Sequence, residues 1–221
     1  RPPRSTLDRS SAASDVYKSQ VRFFEFHAPK DLTDATLEKL KKLEYHRYNE
    51  PAGVGTSREL QTQSDFLDIH LWFQKCIDEL KEDEGYVCDR LVVNKCWANR
   101  SDANSGDHHD FHRHPMSYLS GIFYLTEGAP TVFLDPVRER EWGQFHLDGY
   151  PDRDTRQYSH LGAGGLLVFP SYVIHASEPN YTPHVDRFTM SFNTFPQGDL
   201  QDSGHGESMC NVTVNNVGDY L

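Results

Sequence analysis

Four of the chain's 12 histidines fall within one short run, as His108, His109, His112 and His114 in Gly106–Leu125, GDHHDFHRHPMSYLSGIFYL. Neutral imidazole is the commonest side-chain ligand for iron, zinc and copper. On an extended backbone, residues i and i+2 project to the same side. His112-Arg113-His114 has that spacing, and so does His108-His109-Asp110, so either pair can offer two ligand atoms to one ion. A third imidazole, His175, follows the apolar run Leu166–Phe169 and Pro170. A Gly-Gly turn and a buried strand ahead of it make a rigid platform from which one ring can reach a barrel interior. The plainer alternatives are a solvated histidine-rich loop and a packed structural histidine.

Arg187-Phe-Thr-Met-Ser-Phe-Asn193 reads as a strand. Arg187, Thr189, Ser191 and Asn193 then share one face, and Phe188, Met190 and Phe192 the other. An arginine pointing into a barrel requires an anion, because an unpaired buried guanidinium is costly. Arginine is also the side chain best shaped for a carboxylate, and Thr189 can add a hydroxyl. The competing reading is a surface arginine on a half-exposed sheet.

The elements that must position these residues follow from periodicity. Residues 1–20 carry no apolar face and read as a tail. Val21–Phe26 alternates as a first strand. Leu32–Tyr45 places Leu37, Leu40 and Leu43 on a helical stripe, with Thr33 or Asp34 available as cap. A stronger helix spans Ser64 to about Glu82, with Ser64 as N-cap, Gly85 past its end, and a stripe of Phe66, Ile69, Phe73, Ile77 and Leu80. His70 beside that stripe reads as a packed or surface histidine. Strands are expected over Tyr86–Asn99, Leu119–Thr126, Thr131–Leu134, Gly164–Pro170 running on to His175, and Arg187–Phe195. The charged stretch 137–161 reads as a functional lid. The expected organisation is one domain over 21–196, with helical support at 32–82, a β core at 86–196 and a tail at 197–221. Helices followed by a series of strands point to a mainly β sandwich or barrel with helices on one face.

Composition narrows the classes. The 221 residues suffice for one domain with a substantial core. A mean hydropathy of -0.69 and no apolar run near the ~18–20 residues of a span argue against a membrane protein. A net charge of -11 argues against nucleic acid as partner. Cys76, Cys88, Cys96 and Cys210 form no C-x-x-C pair, which disfavours a structural zinc site. The chain starts at Arg1, so the native start is expected to lie upstream. The sequons at Asn99, Asn180 and Asn211 are compatible with a secretory protein, and cytoplasmic and secretory locations both stay open.

As an ordered set, these motifs resemble the Fe(II)- and 2-oxoglutarate-dependent oxygenases, and within them a phage, bacterial and algal branch. The resemblance rests on Trp97-Ala-Asn99, His112-Arg-His-Pro-Met-Ser-Tyr-Leu-Ser-Gly-Ile-Phe-Tyr-Leu125, Asp135-Pro136, Gly165-Leu-Leu-Val-Phe-Pro-Ser-Tyr-Val-Ile-His175 and Arg187-Phe-Thr-Met-Ser-Phe-Asn193. It covers roughly residues 60–196. It implies a double-stranded β-helix (jelly-roll, cupin-like) core and a facial triad that leaves iron positions open for 2-oxoglutarate and O₂. His112, His114 and His175 would hold Fe(II). Arg187 would clamp the far carboxylate of 2-oxoglutarate, assisted by Thr189 and Tyr124. Most of the superfamily uses His-x-Asp or His-x-Glu, so His108 and Asp110 form an alternative pair; otherwise Asp110 would orient an imidazole from outside the ligand set. The implied activity is hydroxylation of an amino acid, a peptidyl residue or a small metabolite. A three-histidine cupin-type dioxygenase that does not use 2-oxoglutarate, and a non-catalytic binding barrel, are the alternatives.

Overall fold

The computed structural model describes residues 21–47, 54–134, 156–159, 161–200 and 213–215. The N-terminal tail, Asp135-Pro136, nearly all of the expected 137–161 lid, Cys210 and Asn211 lie outside the described residues.

The framework is two facing β-sheets of a jelly roll, with two helices packed outside one of them. Ten strands occur among the described residues: β1 (Phe24–His27), β2 (Gly55–Ser57), β3 (Arg90–Ser101), β4 (Leu119–Tyr124), β5 (Thr131–Leu134), β6 (Arg156–Tyr158), β7 (Gly165–Pro170), β8 (His175–Ser177), β9 (Arg187–Asp199) and β10 (Thr213–Val214). The larger sheet runs β1-β7-β4-β9-β3-β2, with β10 added to β9, and the smaller runs β6-β5-β8. The helices are α1 (Lys30–Leu40) and α2 (Leu67–Glu84).

Side-chain parity divides the larger sheet into two faces. Its outer face buries Phe123, Phe188, Met190 and Phe192 against the α2 stripe of Ile69, Phe73, Ile77 and Leu80. Its inner face contributes Ile122, Tyr124, Leu167 and Phe169, which meet Phe133 of the smaller sheet. Two cross-strand registers align the inner face of β9 with its neighbours: Asn99↔Thr189 and Trp97↔Ser191 on β3, Tyr124↔Thr189 and Ser120↔Asn193 on β4.

Several boundaries differ from the sequence expectation. The first helix starts earlier, because the Pro29 carbonyl accepts both the Thr33 amide and its hydroxyl, and it ends at Leu40 rather than Tyr45. Ser64 opens a 3₁₀ turn, and α2 begins behind it without a side-chain cap. Gly85 does close α2, in the left-handed region at φ 72°. β3 starts at Arg90 instead of Tyr86. The β7 strand does not continue into His175: the Val173 amide bonds back to Pro170, and this turn carries the chain from the larger sheet to the smaller. β9 passes through Pro196, opposite Leu91, and ends at Asp199. Of the sequons, Asn99 and Asn180 are buried at 6% and 0% exposure; Asn180 donates to the carbonyls of Ser101, Asp102 and Val185.

Candidate metal and co-substrate site

Between the sheets lies a small cavity of ≈ 50 Å³. The smaller sheet presents His175 to it from β8. Beside β8 the segment holding His109, His112 and His114 docks antiparallel, through an isolated bridge between His112 and His175, His114 N–H to the Ser171 carbonyl, and Ser177 N–H to the His109 carbonyl. From the larger sheet come Trp97 and Asn99 of β3, Ser120 of β4, and Arg187, Thr189 and Ser191 of β9.

One ring nitrogen from each of His112, His114 and His175 lies within 4.8 Å of the other two. The ring centroids are 4.4 Å apart for His112 and His175, 5.0 Å for His114 and His175, and 5.2 Å for His112 and His114. Every Nδ1 of the three faces an oxygen: Asp110 O for His112, Asn193 Oδ1 for His114, Val173 O for His175. Bonding of Nδ1 to an acceptor places the proton there and leaves Nε2 as a lone pair. The Nε2 atom of His114 is buried and has no partner among the described residues. Burial, reinforced by the neighbouring imidazoles, pushes His175 down to about 3; burial also brings His114 down to about 4, against the bond to Asn193. The His114 and His175 rings are thus neutral, as metal ligands must be. Three neutral imidazoles suit iron, zinc or copper. No carboxylate lines this cavity among the described residues.

Arg187 is 4% exposed. Its Nε–H donates to Ala129 O at 2.8 Å and an Nη2–H to Thr131 Oγ1 at 3.4 Å, and no carboxylate pairs with it among the described residues. Burial lowers its pKa, so the site resists the charge it must hold. Thr189 lines the same cavity. Tyr124 does not: its hydroxyl donates to Thr131 Oγ1 at 2.8 Å, and the residue lines a second space of ≈ 250 Å³ that Arg187 also lines. The tyrosine reaches the guanidinium through Thr131 and through its ring, whose centroid is 5.8 Å from the Arg187 Cζ.

The alternative pair is not brought to the cavity's three-histidine group. His108 Nδ1 bonds to Gly106 O, its Nε2 lies 3.7 Å from Asp110 Oδ1, and the Asp110 side chain is 72% exposed. Nor does the Asp110 carboxylate orient an imidazole of that group; its backbone carbonyl does, by receiving the His112 Nδ1–H. The chain bends between the two motifs, so the parity argument that put His108 and Asp110 on one face selects the face turned away.

Three cavity residues had no role in the sequence reading. Thr131 accepts from both Tyr124 and Arg187. His109 lines the cavity 5.9 Å from the His112 ring and is pushed by burial down to about 3. Trp97 stacks on His114 at 5.4 Å. Trp97 belonged to a motif and Thr131 opened an expected strand, but only the closure of the two sheets makes them neighbours of the site. His70 sits apart, 3% exposed, with Nδ1 3.7 Å from Cys96 Sγ.

No curated protein matches the chain. Among solved structures it is similar to HygX from Streptomyces hygroscopicus, solved with nickel and 2-oxoglutarate bound (14% identity, 80% of this chain and 83% of that chain, TM-score 0.57). It is also similar to a Pseudomonas putida prolyl-4-hydroxylase (14% identity, 80% and 93%, TM-score 0.59). A third is SnoN, a non-heme alpha-ketoglutarate-dependent epimerase from nogalamycin biosynthesis (14% identity, 90% and 89%, TM-score 0.62). At these identities the likeness carries the fold. The family described as "Putative 2OG-Fe(II) oxygenase" matches residues 95–193, a segment that contains the cavity histidines, Tyr124, Arg187 and Thr189. Over that segment the chain is similar to the Fe(II)- and 2-oxoglutarate-dependent oxygenases.

Proposed function

We propose that this protein is an Fe(II)- and 2-oxoglutarate-dependent hydroxylase in which His112, His114 and His175 hold Fe(II) through Nε2, while Arg187 receives the far carboxylate of 2-oxoglutarate. The observation that carries the reading is one cavity lined by three imidazoles whose Nδ1 atoms all face acceptors and, on the facing sheet, a buried guanidinium that no carboxylate pairs with among the described residues. Fe(II), 2-oxoglutarate and O₂ together supply oxidative decarboxylation of the 2-oxo acid coupled to oxidation of an unreactive C–H bond.

The protein's part is placement and exclusion of water. Arg187 binds one end of the co-substrate by charge-assisted hydrogen bonds, with Thr189 adding a hydroxyl. Thr131 and Ala129 fix the guanidinium plane before the anion arrives, so little is lost in ordering it. Ile122 and Phe169 supply apolar wall between the two poles. His112 is the exposed member of the triad, and the substrate enters on its side. The substrate is a free amino acid, a peptidyl residue or a small metabolite.

The absence of a carboxylate among the three ligands favours one other reading, a three-histidine dioxygenase that dispenses with 2-oxoglutarate. Arg187 has no task in that enzyme. The deciding experiment is anaerobic reconstitution with Fe(II) and 2-oxoglutarate, followed by admission of O₂. A weak visible charge-transfer band and succinate release are expected. Iron-dependent O₂ uptake without succinate would sink the 2-oxoglutarate assignment.

A further inference from the structure

The three histidines of the candidate ligand group are held by two different kinds of acceptor. His112 Nδ1 faces a backbone carbonyl at 2.8 Å, and His175 Nδ1 another at 3.0 Å. A carbonyl only accepts, so those two tautomers are dictated by the main chain. At His114 the acceptor is a side chain: Nδ1 lies 2.8 Å from Asn193 Oδ1. The same oxygen is 2.9 Å from Ser120 Oγ, its cross-strand neighbour. Behind it Ser120 Oγ is 2.8 Å from Ser171 Oγ, which is 2.7 Å from Ser117 Oγ.

We infer that Asn193, fixed by Ser120 and the serine chain behind it, is a positioning residue that holds His114 as the Nδ1–H tautomer and so turns its Nε2 lone pair into the cavity. The inference rests on reading His114 as an iron ligand. Two donors converge on Oδ1, the imidazole N–H and the Ser120 hydroxyl, and each serine can donate to the next toward that oxygen. With the amide reversed, its NH₂ would face Nδ1 and drive the proton to Nε2. That N–H would be a buried donor without a partner among the described residues, left with the uncompensated cost of its desolvation. Only the Nδ1–H arrangement leaves nothing unsatisfied once a metal is bound. An amide achieves this without adding charge, whereas a carboxylate would add an anion beside His114.

The test uses the full chain, metal-free, at pH 8. Long-range ¹⁵N–¹H spectra of the histidine rings read each tautomer directly. His114 is expected as Nδ1–H in the unsubstituted protein and in Asn193→Asp, and as a mixture with Nε2–H in Asn193→Ala. Calorimetry with Mn(II) should show an affinity loss of about 10–100-fold for Asn193→Ala and recovery of most of it in Asn193→Asp, the scale typical of groups that orient a ligand. An Nε2–H tautomer at His114 in the unsubstituted protein overturns the inference without any variant being needed. Unchanged Mn(II) affinity in a folded Asn193→Ala does the same. His114→Ala and His175→Ala are run alongside. If both bind Mn(II) like the parent, the ligand assignment itself has failed, and the spectra still decide the role of Asn193.

Discussion

His112 and His175 exchange both backbone hydrogen bonds, each N–H meeting the other's carbonyl at 2.9 Å. This bridge pairs the histidine segment with β8, and it sets the two rings 4.4 Å apart. Because the bridge is main chain to main chain, removing an imidazole should leave it intact. His112→Ala, at an exposed ring, should keep the melting temperature of the metal-free protein and lose metal affinity by more than the ~10–100-fold typical of orienting residues. Differential scanning calorimetry with and without Mn(II) measures both. A variant that still gains stability from the metal excludes His112 as ligand.

Arg187 makes a prediction of opposite sign for the free and the bound protein. Buried without a carboxylate among the described residues, it carries a desolvation cost that its bonds to Ala129 and Thr131 offset only in part. Arg187→Met should therefore leave the stability of the free protein unchanged or higher. The same change should weaken 2-oxoglutarate binding by about 2–5 kcal/mol, roughly 30-fold or more. Thermal shift with increasing 2-oxoglutarate, at saturating Mn(II), separates the two effects. Equal responses in parent and variant would remove Arg187 from the co-substrate site.

The period-two pattern of β9 made the division of its faces legible: Arg187, Thr189 and Ser191 line the cavity, and Phe188, Met190 and Phe192 enter the helix-facing core. The α2 stripe and Gly85 were equally plain, since a 3.6-residue repeat and a left-handed stop are local signals. Choice between the two histidine motifs was not local. His108-His109-Asp110 and His112-Arg113-His114 have the same spacing, and what separates them is pairing with β8, a contact between distant chain segments. Thr131 and Asn193 escaped a role for the same reason. Their partners, Arg187 and His114, reach them only across the fold.

Three depressed histidines give a defined acid limit. Burial holds His109 and His175 to about 3 and His114 to about 4, below the 6.5 of a free imidazole. The unfolded chain therefore takes up protons that the folded one refuses. Stability from these groups is fully present above pH 6.5 and falls as pH drops from there toward 4 and 3, by up to about 1.4 kcal/mol per pH unit for each group. The melting temperature of the metal-free protein should decline across that window. His109→Phe should flatten the decline while keeping the pH 8 fold, because an apolar ring has no proton to gain. An unaltered slope in that variant would show that His109 titrates normally.

Gly121 sits in the middle of β4, opposite Phe192 on β9. A Cβ at that position would lie 2.3 Å from Phe192 Cε1 and Cζ, with the ring itself fully buried against Phe73 at 4.8 Å between centroids. The ring cannot retreat, since α2 lies behind it, so the strand or the helix must shift. Gly121→Ala should cost about 1–3 kcal/mol through overpacking, or about 2–4 °C of melting temperature for each kcal/mol in a domain of this size. The effect should be coupled to the ring. In Phe192→Leu, which leaves space of its own, the added methyl should cost less than in the parent, and a double-mutant cycle by urea unfolding measures the difference. Additive penalties would mean that the glycine is required by the backbone rather than by the ring. At a strand position whose φ is not in the left-handed region, the backbone makes no such demand, so coupling is the expected result.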